Sequence, residues 1–586
     1  MIQLTINKKK ISVESGTTIL EAAKQNGINI PTLCFLEGIH KYGSCRICSV
    51  EVEGARTLQA ACMTEAKEGM IIHTNSPKAL KTRKVLYELM LSDHSMRCLS
   101  CNRNQSCELQ RLGETLGITE NRFHTGSTRE QIDISPAISR DLSKCILCRR
   151  CVTACKGIQG IGILDAQNRG FNTVIAPVMD MSINQANCTF CGQCAVVCPV
   201  GALRETDHTT RVWDAINNPE LTVVVQTAPA VRVALGELFG YPVGTSVTGK
   251  MAAAIRALGA DYTFDTNWGA DLTVMEEGTE FLNRAMDVLS GKEAALPMFT
   301  SCSPGWVKYI ETYFPHLIPH LSTCKSPHTM MGAITKTYFA EKNNIDPAKI
   351  YMVSIMPCTA KKFEISREEM KNRGLANVDA VLTTREFGQM IRQSGINFNS
   401  LADESFDDPM GQSSGAGAMF GVTGGVMEAS LRTVYATVTG RELSFERLHA
   451  QISGLFQIKK TSVKFEDVLP EYKMFEGFEA KVAVTHGLAG AKVLMEQIED
   501  GNAPYHFIEV MGCPGGCVCG GGQPRNDDPF VRSKRMKAMY GEDELKTLRQ
   551  SHLNPYIIAL YSDYLGKPGE QLAHELLHTH FVDRHK

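Results

Sequence analysis

The sequence predicts a multidomain protein in which small, cysteine-rich α+β modules precede one large α/β domain. Three observations carry this expectation. The chain has 586 residues, several times the ~150 of an average domain. Fifteen of its 21 cysteines fall in the first 200 residues. From about Leu221 onward, short apolar runs alternate with helical periodicity, the texture of strands joined by helices. With 43% hydrophobic and 21% charged residues, there is apolar material for real cores.

Charge and hydropathy exclude several functions. Sixty-one Lys+Arg stand against 63 Asp+Glu, and no basic block occurs, which argues against a nucleic-acid or anionic-membrane partner. Apolar runs such as Leu221–Val225 are far shorter than the ~18–20 residues of a membrane span. The opening MIQLTINKKKISV alternates like a strand and lacks the continuous apolar core of a secretion signal. A soluble, cytoplasmic protein is expected. In that compartment so many cysteines point to metal binding or catalysis, not to disulfides.

The first group is Cys34, Cys45, Cys48 and Cys62, after a strand-like Gln3–Val13, a helix-like Thr18–Asn26 and the turn-prone Pro31. Four thiolates suit a 2Fe–2S cluster, and a zinc site is the rival reading. The second group is His94, Cys98, Cys101 and Cys107. It fits a 4Fe–4S cluster with one imidazole ligand, or zinc, or a helix-capping histidine beside three thiols. Its position between two iron–sulfur segments favours iron. The third and fourth groups repeat one spacing, Cys145-x2-Cys148-x2-Cys151-x3-Cys155 and Cys188-x2-Cys191-x2-Cys194-x3-Cys198-Pro199. This is the bacterial two-cluster ferredoxin run, in which the fourth Cys of each run ligates the other cluster. Cys145, Cys148, Cys151 and Cys198 are therefore assigned to one cluster, and Cys188, Cys191, Cys194 and Cys155 to the other. One 2Fe–2S and three accessory 4Fe–4S clusters form an electron wire, which needs a terminus in the remaining 386 residues.

In that remainder, LTVVVQTAP, LPMFTSCSP, KIYMVSIMPC, AKVAVTHGL and YHFIEVMGC read as strands, and Met251–Leu258 and Arg385–Arg392 as helices. Three of the strands deliver Cys302, Cys358 and Cys513 at their carboxyl ends, where open α/β sheets form ligand crevices. In VMGCPGGCVCGGGQP, Gly515, Gly516 and Gly520–Gly522 would let backbone approach a bulky inorganic group. No Lys-Ser/Thr follows to make a phosphate loop. GAGAMFGVTGG (415–425) is assigned a packing role.

TSCSPGW (300–306), MPCTAKKFE (356–364) and EVMGCPGGCVCGGGQP (509–524) resemble the three signature motifs of the iron-only (FeFe) hydrogenases. The preceding modules resemble those of the large clostridial type in number and order. SHLNPYIIALYSDYLGKPGEQLAHELLHTH resembles the small-subunit segment fused there. The resemblance spans essentially the whole chain. It implies a β-grasp 2Fe–2S ferredoxin-like domain over 1–80, a His/Cys3 4Fe–4S segment over 81–125, a two-cluster ferredoxin domain over 126–209 and an H-cluster domain over 210–586, whose end from about 525 is small-subunit-like. It further implies an H-cluster: a 4Fe–4S cubane joined by a cysteine sulfur to a diiron unit with CO, cyanide and azadithiolate, catalysing 2H⁺ + 2e⁻ ⇌ H₂. By resemblance Cys358, Cys513 and Cys517 ligate the cubane, Cys517 bridges, Lys361 hydrogen-bonds a cyanide, and Met356 and Met511 line the pocket. Cys302, Glu277, Ser322, Glu280 and Arg284 fall where the family's proton relay lies. Glu277, Glu280 and Arg284 also share one helical face by spacing alone.

The chain departs from the family where a second Cys normally follows Cys302 as the fourth cubane ligand, because Ser303 stands there. Ser303 as an oxygen ligand, Cys302 shifted into its place, Cys519 in compensation, or an impaired enzyme are the open readings. Ala230 and His328 replace an expected Ser and Gln near the cluster. Cys324 has no assigned role. The expected partners are ferredoxin or flavodoxin, H₂ and protons, and hydrogenase maturation proteins, for a monomer. A non-catalytic hydrogenase-like protein (an assembly scaffold or a hydrogen sensor) and an iron–sulfur subunit of a larger dehydrogenase are the alternatives.

Overall fold

The computed structural model describes residues 1–123, 129, 131–408, 410–444 and 458–585. The expected boundary between 125 and 126 lies outside the described residues. The chain divides into two compact units, one of Met1–Gly157, Gly162–Cys188 and Val197–Arg204, the other of Ile158–Ile161, Thr189–Val196 and Glu205–Lys586.

The first unit opens with a five-stranded sheet in the spatial order Lys9–Val13, Ile2–Ile6, Ile71–His73, Ser49–Val52, Gln59–Ala60. The expected single strand over Gln3–Val13 is an antiparallel hairpin with Leu4 opposite Ile11. The chain reverses at Asn7 and Lys8, both with positive φ, because the polar NKKK stretch offers nothing to bury. Leu4, Ile6, Ile11 and Val13 face one core by the period-2 alternation of strands. The helix Ile19–Gln25 packs Ile19, Ala22 and Ala23 on it and starts at a capping box between Thr18 and Glu21, which satisfies two otherwise orphaned N–H groups. The helices Pro77–Ser92 and Glu108–Leu116 follow. A three-stranded sheet of Leu203–Glu205, Ile138–Asp141 and Ile132–Ile134 comes after them.

The second unit is built on two four-stranded sheets. One, ordered Tyr262–Asp265, Thr222–Thr227, Ile350–Met356, Ala380–Thr383, is wholly parallel. Its strands read as unbroken apolar runs such as Val223–Val225 because both faces are covered. The other is ordered Met298–Phe299, Phe507–Met511, Glu479–His486, Lys459–Lys464, with only the last pair antiparallel. The helices expected over Met251–Leu258 and Arg385–Arg392 run over Thr248–Ala257 and Thr384–Gln393. A 24-residue helix, Thr266–Leu289, is buried along most of its length. No described helix is long and apolar enough to cross a membrane.

Candidate functional site

Sheet direction explains where the second unit concentrates its chemistry. Met298–Phe299, Ile350–Met356 and Phe507–Met511 end immediately before the segments that carry Cys302, Cys358 and Cys513. Met356 and Met511, the last residues of two of these strands, are buried. The thiols of Cys358, Cys513 and Cys517 lie close enough for burial and mutual charge to hold them protonated in the absence of a cation. Such crowded, buried thiols suit a multivalent iron centre that accepts them as thiolates.

The residues of the TSCSPGW motif have different surroundings. Cys302 lies within electrostatic reach of both Glu277 and Cys517. Burial and then the Glu277 carboxylate raise its pKa most, ahead of the Cys517 thiol. Ser303 begins the helix Pro304–Tyr313 and caps nothing with its side chain. Its Oγ accepts the backbone N–H of Gly512 at 3.2 Å, next to Cys513. Cys519 points elsewhere, toward Arg535 and Arg532. Ser303 is thus tied through its side chain to the residue that precedes Cys513.

Lys361 starts a compact polar cluster. Its ammonium pairs with Glu364 at 2.7 Å and donates to the Cys302 carbonyl at 3.2 Å. An ammonium has three donors, so one is left over for a ligand. Glu364 also meets His328 Nε2 at 2.6 Å, while His328 Nδ1 lies 3.1 Å from Ser354 Oγ. Burial would raise the Glu364 pKa, but the Lys361 charge and His328 outweigh it and bring it down to about 2. Burial and the Lys361 charge lower His328 to about 4, so its imidazole is neutral at pH 7. Sequence reasoning did not single out Glu364, although its i, i+3 spacing from Lys361 was a legible signal.

Glu280 and Arg284, which spacing puts on one helical face, meet each other, and Glu280 meets Ser322. Ser322 donates to Glu280 at 2.8 Å, and Arg284 pairs with Glu280 at 2.6 Å. One turn earlier, both Glu277 carboxyl oxygens are buried and without a hydrogen-bond partner among the described residues. Burial, followed by the Glu280 charge, pushes Glu277 up to about 8. A carboxyl group that is neutral at pH 7 yet deprotonates nearby is suited to pass protons.

Three further residues escaped the sequence reading. Gln523 donates from Nε2 to the Ala230 carbonyl at 2.8 Å and accepts from Thr384 at 2.8 Å, tying the cysteine loop to buried Ala230. Glu509 accepts the backbone N–H groups of Gly424 and Met427, each at 2.7 Å, at the start of the helix Gly425–Thr439. Gln193 donates to the Cys519 carbonyl at 3.2 Å and hydrogen-bonds Cys513. These contacts were illegible because each joins distant segments. The glycines of that loop also let it pack closely on the rest of the chain. A Cβ at Gly520 or Gly521 would collide with the Pro357 or Cys191 carbonyl, so the close approach is to protein backbone. The 415–425 stretch packs as expected, since a Cβ at Gly417 would strike the Asn267 carbonyl.

In the first unit, Cys145, Cys148, Cys151 and Cys198 line one apolar hollow, the set the double run pairs together. Cys48 and Cys62 stand 3.4 Å apart, sulfur to sulfur. Both ring nitrogens of His94 are buried with no partner among the described residues. A buried imidazole costs free energy unless something binds it, which fits a cluster ligand. Within the second unit, Cys191 lies near enough to Cys513 to influence its thiol.

Comparison with known proteins matches this arrangement. Residues 221–521 match the family described as iron only hydrogenase large subunit, C-terminal domain, and 529–584 match iron hydrogenase small subunit. Residues 1–77 match a 2Fe-2S iron-sulfur cluster binding domain, 83–122 the NADH-ubiquinone oxidoreductase-G iron-sulfur binding region and 144–202 a 4Fe-4S dicluster domain. The chain is 47% identical to the NADP-reducing hydrogenase subunit HndD of Solidesulfovibrio fructosivorans, covering 100% of both. It is 40% identical to iron hydrogenase 1 of Clostridium pasteurianum, covering 99% of both. A solved structure of a variant of the [FeFe]-hydrogenase HydA1 from Chlamydomonas reinhardtii is 40% identical with a TM-score of 0.59, over 65% of this chain and 100% of that one.

Proposed function

The chain belongs to the iron-only hydrogenases, which catalyse 2H⁺ + 2e⁻ ⇌ H₂, and on that premise we propose how its residues divide the work. Cys358, Cys513 and Cys517 would hold the cubane of the H-cluster, Cys517 would also serve the diiron unit, and Ser303 would take the fourth position. This assignment is supported by Ser303 Oγ accepting the N–H of Gly512, next to Cys513, and by Cys519 lying beside Arg532 and Arg535. When bound, the H-cluster supplies the iron centre at which protons and electrons are exchanged with H₂. Lys361 offers its remaining N–H as a charge-assisted donor. Met356 and Met511 give soft apolar walls, and Ala230 and His328 complete the surroundings. Glu280, Ser322, Glu277 and Cys302 pass protons in that order from the Arg284 end. The convergence of Cys358, Cys513 and Cys517 at strand ends carries this reading. The retained relay and Lys361 favour an enzyme over a scaffold, which needs no proton path.

One 2Fe–2S and three 4Fe–4S clusters, in modules spanning 1–80, 81–125 and 126–209, would feed electrons to the 210–586 domain. The nearness of Cys191 to Cys513 supports the last step. The electron partner is a ferredoxin or flavodoxin, and the chain acts as a cytoplasmic monomer matured by dedicated hydrogenase assembly proteins. A second reading rests on the full-length 47% identity to a subunit of an NADP-reducing enzyme: the chain joins partner subunits that handle the nicotinamide.

Anaerobically matured protein should show infrared bands in the CO and cyanide stretching region and evolve H₂ from chemically reduced viologen. Absence of those bands with accessory clusters intact would sink the H-cluster assignment. H₂ evolution by the isolated chain with reduced ferredoxin, and none with NADPH, supports the first partner. Failure with ferredoxin, restored by co-purifying subunits with NADPH, supports the second.

A further inference from the structure

Beside the proton path, Glu280 meets two side chains that hydrogen exchange with H₂ does not require, Cys324 and His578. Cys324 is buried, and its Sγ stands 3.7 Å from Glu280 Oε2 and 4.0 Å from His578 Nδ1. The three ligand atoms all lie within 4.8 Å of one another. The backbone holds two of them in register. Cys324 and His578 face each other across an antiparallel bridge, flanked by Lys325 N–H to Leu577 O and Thr579 N–H to Thr323 O, each at 2.8 Å. The C-terminal tail thus delivers an imidazole onto the helix Thr266–Leu289.

The histidine is oriented from behind. Its Nε2 lies 3.0 Å from Glu276 Oε2, while Glu276 also accepts the Tyr561 hydroxyl at 2.5 Å and the Gly569 N–H at 2.8 Å. Glu276 has its donors fixed and serves as acceptor for Nε2–H, so Nδ1 is left as an acceptor on the side of Cys324. There it lies 2.7 Å from the Thr323 hydroxyl, a donor that rotates aside easily. A carboxylate behind an imidazole that presents its other nitrogen is the supporting arrangement of metal-bound histidines. Thiolate, imidazole and carboxylate together are the donor set of zinc. Zinc bonds of about 2.3 Å to sulfur and about 2.0–2.2 Å to nitrogen and oxygen require the ligand atoms to stand closer together than they do here, so the side chains would draw inward on binding.

We propose that Glu280, Cys324 and His578 form a zinc site that acts as a brake on the proton path. Binding releases the Cys324 thiol proton to solvent and leaves the fourth position of the ion to water. Glu280, once a ligand, is no longer available to Ser322 and Arg284. The braking effect rests on the proton path proposed above; the binding does not.

The test uses chelator-washed, matured holoenzyme reloaded with one equivalent of zinc sulfate, with zinc K-edge X-ray absorption as the readout. The expected shell contains one sulfur and otherwise nitrogen and oxygen. It loses the sulfur in Cys324→Ala and an imidazole in His578→Gln. The two variants back each other up, and unchanged iron content shows that each is folded. Zinc should also inhibit viologen-driven H₂ evolution, with at least a tenfold higher concentration needed in either variant. A wild-type shell with no sulfur, or one of several sulfurs unchanged by Cys324→Ala, overturns the site. The expected shell with undiminished turnover overturns the brake alone.

Discussion

Ser322 donates its hydroxyl to Glu280 at 2.8 Å, while Glu277, a turn away on the same helix, has both oxygens buried and without partners among the described residues. In the proton path proposed above, Glu280 is the outer acid and Glu277 the inner one. Removing the inner one should stop proton flow without disturbing the iron. Glu277→Gln is expected to lower H₂ turnover by at least about 100-fold, the scale of general acid–base catalysis, with the CO and cyanide bands preserved. Turnover within a few-fold of wild type would remove Glu277 from the path.

The same group sets a pH dependence. Its pKa, raised to about 8 by burial and the Glu280 charge, keeps Glu277 protonated at pH 7 and ionises it as pH rises through about 8. Difference infrared spectra should contain a protonated-carboxyl band that is absent in Glu277→Gln and fades across that interval. Inward proton delivery should weaken over the same range. A band fading near pH 4.5 would mean that the carboxyl is hydrated.

Ser303 is testable through the potential of the cubane. A thiolate carries a negative charge that a hydroxyl lacks, and cluster potentials follow net charge. Ser303→Cys should lower the midpoint potential in protein lacking the diiron unit, followed by EPR. Ser303→Ala should shed iron from the cubane and leave the accessory clusters intact. Identical potentials and iron content in all three proteins would show that position 303 does not touch the cluster.

Glu364 anchors both Lys361 and His328. Glu364→Gln leaves a buried ammonium without its counterion, a change that costs about 3–5 kcal/mol and should appear as a clear fall in Tm. The carboxylate's own contribution follows from its lowered pKa. It is fully present above the usual value of 4.5 and is lost as pH falls toward about 2. Stability of the wild type should therefore decline with acid across that window more steeply than that of Glu364→Gln.

The spacing of the cysteines in the first 200 residues, the three motifs and the shared face of Glu277, Glu280 and Arg284 were all readable in the sequence. Each is a local pattern, written by helix and strand periods or by the bond lengths of a ligand loop. Tertiary structure alone put Ser303 Oγ on the Gly512 N–H and Cys519 beside Arg532, because side-chain direction depends on neighbours far away in the chain. It alone brought His578 from the chain's end to Cys324 and Glu280, through a backbone bridge that no spacing encodes. Local chemistry fixes which groups a segment can offer, and only packing fixes which of them meet.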